Sequence, residues 1–99
     1  MHFIKIHKSY RIVVAVCDSD LIGKKFEEGK RQLDLRENFY KGEETDTKNL
    51  MKLLHHYSIE DATFNIVGEN SVKAAIDSRI ISKTSIDKIN NTPFILILL

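Results

Sequence analysis

The sequence predicts an α+β fold, a two-layer sandwich in which a mostly antiparallel sheet of four or five strands carries two helices on one face. Three observations support this prediction. Segments near both ends alternate or run apolar as strands do, two segments between them repeat apolar residues at helical spacing, and only four glycines and one proline interrupt the 99 residues. We therefore expect regular secondary structure in a single domain spanning residues 1–99.

Two strands are predicted at the start of the chain, over 3–8 and 10–18, and they should pair as an antiparallel hairpin. Both faces of the second strand are apolar, so we expect it to be central and covered on both sides. Its two faces carry Ile12, Val14 and Val16 on one side and Val13, Ala15 and Cys17 on the other. A third strand is predicted over 30–36, with Leu33 and Leu35 pointing inward.

Two helices are predicted in the second half of the chain. The first has apolar residues at positions i, i+3, i+4 and i+7 from Leu50, and Thr45, Asp46 or Thr47 is its N-cap. A fourth strand is expected over 62–67, and residues 68–71 open the second helix. The segment 82–91 is irregular or holds a short strand, and the apolar run 94–99 closes the chain as a strand.

The composition argues against several classes of protein. Fifteen Lys and Arg against fourteen Asp and Glu leave a formal charge of +1, so no overall field attracts the chain to nucleic acid or to an anionic membrane. The longest apolar run has six residues, whereas a membrane-spanning helix needs roughly 20. The start of the chain lacks a signal-peptide pattern, and the single cysteine, Cys17, cannot form an internal disulfide. We expect a cytoplasmic protein with no membrane association, in which Cys17 is a small core residue.

Motifs for catalysis and metal binding are missing from the sequence. Gly23-Lys24 lacks both the preceding glycine and the following Ser or Thr of a phosphate-binding loop. His55 and His56 are adjacent, so on a helix they point about 100° apart and cannot hold one ion together. We therefore expect no catalytic residue, no cofactor and no metal site, and we favour a protein that is not an enzyme.

Two alternatives are open. The first is a small enzyme that binds a metal or a phosphorylated metabolite through Asp18, Asp20 and Glu43, if the fold brings these carboxylates together. In the competing interpretation, Asp18 and Asp20 only stabilise a turn. The second alternative is a protein–protein interaction module whose C-terminal strand or exposed sheet edge pairs with a partner chain, or with a second copy as a homodimer.

The segment from residue 24 to residue 41 carries six cations against four acids. Two aromatic residues follow in a predicted loop. Cations neutralise phosphates and aromatic rings stack on unpaired bases, so this segment is a candidate RNA contact. In the competing interpretation it is a solvated strand face beside a loop whose rings fold back onto the core. The candidate RNA-binding residues are Lys24, Lys25, Lys30, Arg31, Arg36, Phe39, Tyr40 and Lys41.

Three separated blocks carry a resemblance to a known family. They are Leu21-Ile-Gly-Lys-Lys-Phe-Glu-Glu-Gly29, Phe39-Tyr-Lys-Gly-Glu43 and Asn65-Ile-Val-Gly-Glu69, the last followed by Ser71-Val72 and Ala75-Ile76. In order and spacing these blocks resemble a family of small archaeal proteins called domain of unknown function 424. The resemblance implies an archaeal cytoplasmic protein with a compact α/β fold and an association with translation.

The chain departs from the family pattern at two places. A glycine is expected after the second helix, and this chain has Ser78-Arg79 there, so a left-handed glycine cap is not available. Relatives follow the proline near the end with His and other polar residues, whereas Pro93 here precedes an apolar run. Any polar chemistry at that place in relatives is lost in this chain.

The preferred hypothesis is a non-enzymatic accessory protein that docks on an RNA–protein assembly of the translation apparatus. In this hypothesis the segment 24–41 contacts phosphate or a loop base. The expected partner is ribosomal RNA, or a ribosomal or translation-factor protein.

Overall fold

The computed structural model of the chain describes residues 1–80 and 86–97. Strands β1 (His2–Lys8) and β2 (Ile12–Asp18) form the predicted antiparallel hairpin, in which His2 lies opposite Asp18 and Lys8 lies opposite Ile12. Four of the seven residues of β2 are β-branched, which suits a pleated and covered surface.

Four further strands extend this hairpin into a sheet: β5 (Glu43–Thr45), β6 (Thr63–Val67), β7 (Asp87–Ile89) and β8 (Thr92–Ile97). The six strands have the order β5-β1-β2-β6-β8-β7. Strands β2 and β6 are parallel, and the other neighbouring pairs are antiparallel, so the sheet is mostly antiparallel, as predicted. Strand β7 lies in the segment 82–91, where a short strand was one of two expectations, whereas β5 was not expected because its three residues are too few to show alternation.

The two long helices, α2 (Thr47–Ile59) and α3 (Glu69–Asp77), pack together on one face of this sheet, as predicted. Asp46 is the N-cap of α2, since its carboxylate accepts a hydrogen bond from the backbone N–H of Asn49 at 2.8 Å. The core between helices and sheet is aliphatic. Its buried members include Ile4, Val14, Val16, Leu50, Leu54, Phe64, Ile66, Val72, Ala75 and Ile95.

The opposite face of the sheet is covered by a thinner layer. After a 3₁₀ turn (Ser19–Leu21), β3 (Lys25–Glu28) and β4 (Arg31–Asp34) form a separate two-stranded hairpin, which is followed by the short helix α1 (Glu37–Tyr40). We call residues 24–41 the hairpin layer. The sequence predicted one strand over 30–36 and two layers in all, whereas the structure has a hairpin there and three layers. The four-residue strands are mainly charged, which left β3 undetected in the sequence.

The end of the chain also differs in detail from the prediction. Strands β7 and β8 are joined by Asn90 and Asn91, whose φ angles of 50° and 64° are those of a tight two-residue hairpin turn. The expected final strand begins earlier, at Thr92. Residues 82–85 of the expected irregular segment, and residues 98 and 99 of the expected strand, lie outside the described residues. Within the described ranges, no helix has the length and apolarity needed to span a bilayer.

Candidate functional site

The six cations among the candidate RNA-binding residues lie together in the hairpin layer, on the side of the sheet away from the long helices. Lys24 and Lys25 lie at the start of β3, Lys30 is in the hairpin turn, and Arg31 begins β4. Two further cations, Arg36 and Lys41, flank α1. All six side chains are exposed, so this layer presents its positive charge to solvent.

Four of these cations are within ion-pair distance of a carboxylate at the surface. The contact between Arg31 and Asp87 joins the hairpin to β7. A hydrogen bond from the backbone N–H of Lys88, together with this one from Arg31, lowers the pKa of Asp87. The four pairs are Lys25–Glu27 (3.3 Å), Arg31–Asp87 (2.6 Å), Arg36–Asp34 (2.9 Å) and Lys41–Glu37 (3.6 Å). Lys24 and Lys30 form no ion pair with any residue that the structure describes.

The two aromatic residues of the layer are packed against the sheet. Phe39 is half-buried and stacks on His7, with ring centroids 4.7 Å apart and planes inclined by 17°. Tyr40 is buried in the core cluster of this face, and its burial raises the pKa of its hydroxyl to about 12. Both rings therefore fold back onto the core, as in the competing interpretation, and they lie in the short helix α1 where the sequence predicted a loop. Tyr10, in the turn between β1 and β2, is fully exposed.

Asp18 is buried at the end of β2, and its carboxylate caps α3 across the sheet. It accepts hydrogen bonds from the backbone N–H and the hydroxyl of Ser71, both at 2.7 Å, and from the backbone N–H of Asn70 at 3.1 Å. The N-cap residue itself, Gly68, has no side chain to do this. A Cβ at Gly68 would overlap the Asp18 carboxylate, and its φ of +108° also favours glycine. No spacing of residues in the sequence indicates this contact between Asp18 and Gly68.

The buried residue His2 extends this network. Its Nδ1 lies 2.7 Å from the Ser71 hydroxyl and its Nε2 lies 2.8 Å from the Thr47 hydroxyl. Since the Ser71 hydroxyl donates to Asp18, we infer that Nδ1 donates to Ser71 and that Nε2 accepts from Thr47. Burial lowers the pKa of His2, partly offset by the nearby Asp18 carboxylate. A neutral imidazole is consistent with this hydrogen-bonding pattern.

Ser, His and Asp side chains also form nucleophilic triads, but the hydrogen bonds among them have a different direction here. In a triad the histidine accepts the proton of the serine, whereas Ser71 is fully buried and directs its hydroxyl to Asp18. Cys17, the neighbouring potential nucleophile, is also fully buried, and burial raises the pKa of its thiol to about 12. This arrangement therefore stabilises the junction of β1, β2, α2 and α3, and it does not activate a nucleophile.

The three carboxylates of the enzyme hypothesis are not brought together. Asp20 lies near Asp18, in the 3₁₀ turn. Glu43 lies in β5, opposite Ile4 of β1, and is separated from β2 by that strand. Among residues 1–80 and 86–97, no group of three or more His, Cys, Asp or Glu side chains could hold a metal ion.

A cavity of about 300 Å³, which we call the cleft, opens where β2 and β6 end beside the start of α3. Carboxyl ends of adjacent parallel strands are a common place for ligand sites in α/β sheets. One wall comes from the hairpin layer and another from the turn between β7 and β8. The lining residues are Asp18, Asp20, Leu21, Lys24, Phe26, Gly68, Glu69, Asn70, Asn91, Thr92 and Pro93.

The fold and these features define an α+β protein with a cationic surface layer and a polar cleft. Residues 6–99 match the family model described as protein of unknown function (DUF424), so the chain belongs to that family. This confirms the resemblance seen in the sequence. No curated protein matches the chain.

A solved structure has the same fold. It is the crystal structure of an uncharacterized conserved protein from Methanopyrus kandleri, with a TM-score of 0.88 and 22% sequence identity over 97% of this chain and 89% of that one. At this level of identity, the similarity extends to the fold alone.

Proposed function

We propose that this protein is a non-enzymatic accessory protein of the cytoplasm that docks on an RNA–protein assembly of the translation apparatus through the hairpin layer. Its partner in this proposal is ribosomal RNA, or a ribosomal or translation-factor protein beside that RNA. The observation that carries the proposal is the location of all six cations of this layer on one side of the sheet.

Two lysines are best placed for a first contact with phosphate. Lys24 and Lys30 are exposed at opposite ends of β3, and neither forms an ion pair in the described part of the chain. A phosphate can therefore approach either ammonium group without first displacing a carboxylate. Binding at both positions would release counterions from the RNA, which makes affinity dependent on salt.

The other four cations can give up their carboxylate partners and bind phosphate at a small cost in free energy. The ion pairs Lys25–Glu27 and Lys41–Glu37 lie at the surface, where such a pair contributes about 0–1 kcal/mol. A backbone phosphate of RNA carries one negative charge, as a carboxylate does, so it can take the place of the carboxylate beside the same ammonium or guanidinium group, and arginine binds it with two parallel hydrogen bonds. The ion pairs within the layer therefore weaken RNA docking without preventing it.

Co-sedimentation with ribosomes tests this proposal. We expect the purified full chain to sediment with ribosomal subunits at moderate salt and to remain in the supernatant at high salt. The double variant Lys24→Glu/Lys30→Glu should lose most of this association. A matched control, Lys48→Glu/Lys52→Glu, reverses two exposed charges on α2, on the other face of the sheet. Equal behaviour of the two double variants would contradict the proposal.

A further inference from the structure

The cleft borders the hairpin layer, and its chemistry does not suit a phosphate. Backbone N–H groups at a helix start ordinarily bind anions, but those of Asn70 and Ser71 in α3 already donate to the Asp18 carboxylate. Two further carboxylates, Asp20 and Glu69, line the same cavity. An anion inside the cleft would be repelled by all three carboxylates.

The walls of the cleft instead suit a flat ring that carries hydrogen-bond donors. Leu21, Phe26 and Pro93 provide apolar surface, including one aromatic ring. Ionised carboxylates only accept hydrogen bonds, so Asp20 at the rim requires N–H groups on a ligand. The volume of about 300 Å³ lies at the lower end of the range of roughly 300–1,000 Å³ found for small-molecule sites.

A lysine also lines the cleft and adds a positive charge to it. This residue, Lys24, is one of the two lysines of the hairpin layer without an ion pair among the described residues. A ligand with a phosphate outside the cleft and a donor-bearing ring inside it would satisfy both parts of the site. A nucleotide of a single-stranded RNA segment has this form.

We propose that the cleft binds one unpaired base of the docked RNA, and that it prefers guanine. The pairing edge of guanine has two adjacent donors, a ring N–H and an amino group, which match the two oxygens of one carboxylate. In this arrangement Asp20 accepts both hydrogen bonds, Phe26 contacts the ring, and Lys24 contacts the phosphate of the same nucleotide. Uracil has a single N–H between two carbonyl oxygens, and those oxygens would face the carboxylate. This inference rests on the proposed RNA docking and adds a base preference to it.

Two RNA heptamers test the inference, one of seven uridines and one with guanosine at the central position. The full chain should bind the guanosine heptamer about tenfold more tightly, as expected for one well-formed bidentate contact to a base. Amide chemical shifts of residues 20–22, 68–70, 91 and 92 should change only with the guanosine heptamer, whereas those of the hairpin layer should change with both. Asp20→Asn replaces one acceptor oxygen by a donor and should bring the two affinities within about twofold.

The matched control is Asp77→Asn, which makes the same change at an exposed carboxylate of α3 outside the cleft. It should keep the full preference for guanosine. Equal binding of the two heptamers by the unaltered chain would overturn the base site and leave the docking proposal standing. If the unaltered chain binds neither heptamer and does not associate with ribosomes, the base site and the docking proposal are both overturned. A guanosine preference that survives Asp20→Asn would also contradict the site.

Discussion

The two faces of the central sheet are covered in different ways. On one face, α2 and α3 contribute fully buried aliphatic side chains such as Leu50 and Leu54. On the other face, the β3–β4 hairpin contributes half-buried Phe26 and Leu33, and its remaining side chains are mainly charged. The buried residues that the hairpin layer adds to the core cluster are Leu35 and Tyr40. The helical face therefore supplies most of the apolar burial, and the hairpin layer has a surface on which charge can vary at little cost to folding.

The largest expected effect on the free energy of unfolding comes from truncating one apolar side chain on each face, which tests this comparison. Leu54→Ala removes a fully buried side chain and should lower the free energy of unfolding by about 2–5 kcal/mol. Phe26→Ala, in the hairpin layer, should lower it by roughly half as much, since Phe26 keeps part of its surface in water. Urea unfolding measures both values, and a larger loss for Phe26→Ala would contradict the comparison.

The junction of β1, β2, α2 and α3 depends on the Asp18 carboxylate. Asp18→Ala leaves the backbone N–H groups of Asn70 and Ser71 and the Ser71 hydroxyl without their acceptor. The expected loss is about 3 kcal/mol, typical of buried donors left unpaired at a helix start. Asp20→Ala, an exposed neighbour, should change stability by about 0.5 kcal/mol or less. Similar losses in the two variants, measured by urea unfolding, would show that the cap does not hold α3 on the sheet.

His2 makes the stability of the same junction depend on pH. Its pKa in the folded chain lies below the ordinary value of 6.5 because of burial, so the unfolded chain takes up the proton first as the pH falls. The stability from a neutral His2 is fully present above pH 6.5 and is lost as the pH falls below that value. Unfolding experiments on either side of pH 6.5 should show a weaker pH dependence in His2→Gln, while the exposed His55→Gln control keeps the original dependence. An unchanged dependence in His2→Gln would contradict the assignment.

The smallest expected effect lies at the end of α3. Arg79 follows the last turn of the helix with φ = 63°, so this chain has a left-handed residue where a glycine was expected, although the residue is an arginine. Arg79→Gly should raise stability by about 0.5–1 kcal/mol, because glycine adopts this conformation without steric cost. A higher melting temperature is the expected readout, and Asp77→Gly inside the helix should lower it. A lower melting temperature in Arg79→Gly would contradict this explanation.

Helices and strands with a clear period of apolar residues were predictable from the sequence. The β1–β2 hairpin and α2 follow from alternation and from the i, i+3, i+4, i+7 pattern, and Asp46 was among the three candidate caps. Strands of three or four residues, such as β3, β5 and β7, are too short for a period to appear. The third layer of the fold was missed for this reason.

The site was only partly predictable. The grouping of cations from Lys24 to Lys41 follows from their nearness in sequence, and the structure keeps them in one layer. The cleft joins three segments distant in sequence, and no local pattern links Asp18 to Gly68. Tyr10 was placed at the start of the predicted strand 10–18, whereas the structure has it in the turn between β1 and β2 with its ring fully exposed.

The salt dependence of RNA affinity tests most directly whether the hairpin layer binds phosphate. For a labelled single-stranded RNA, the slope of log affinity against log salt should become shallower by about 0.7 for each lysine contact removed. Lys24→Ala/Lys30→Ala should therefore flatten the slope by about 1.4, and Lys48→Ala/Lys52→Ala on α2 should leave it unchanged. An equal slope in the unaltered chain and in both double variants would contradict the account.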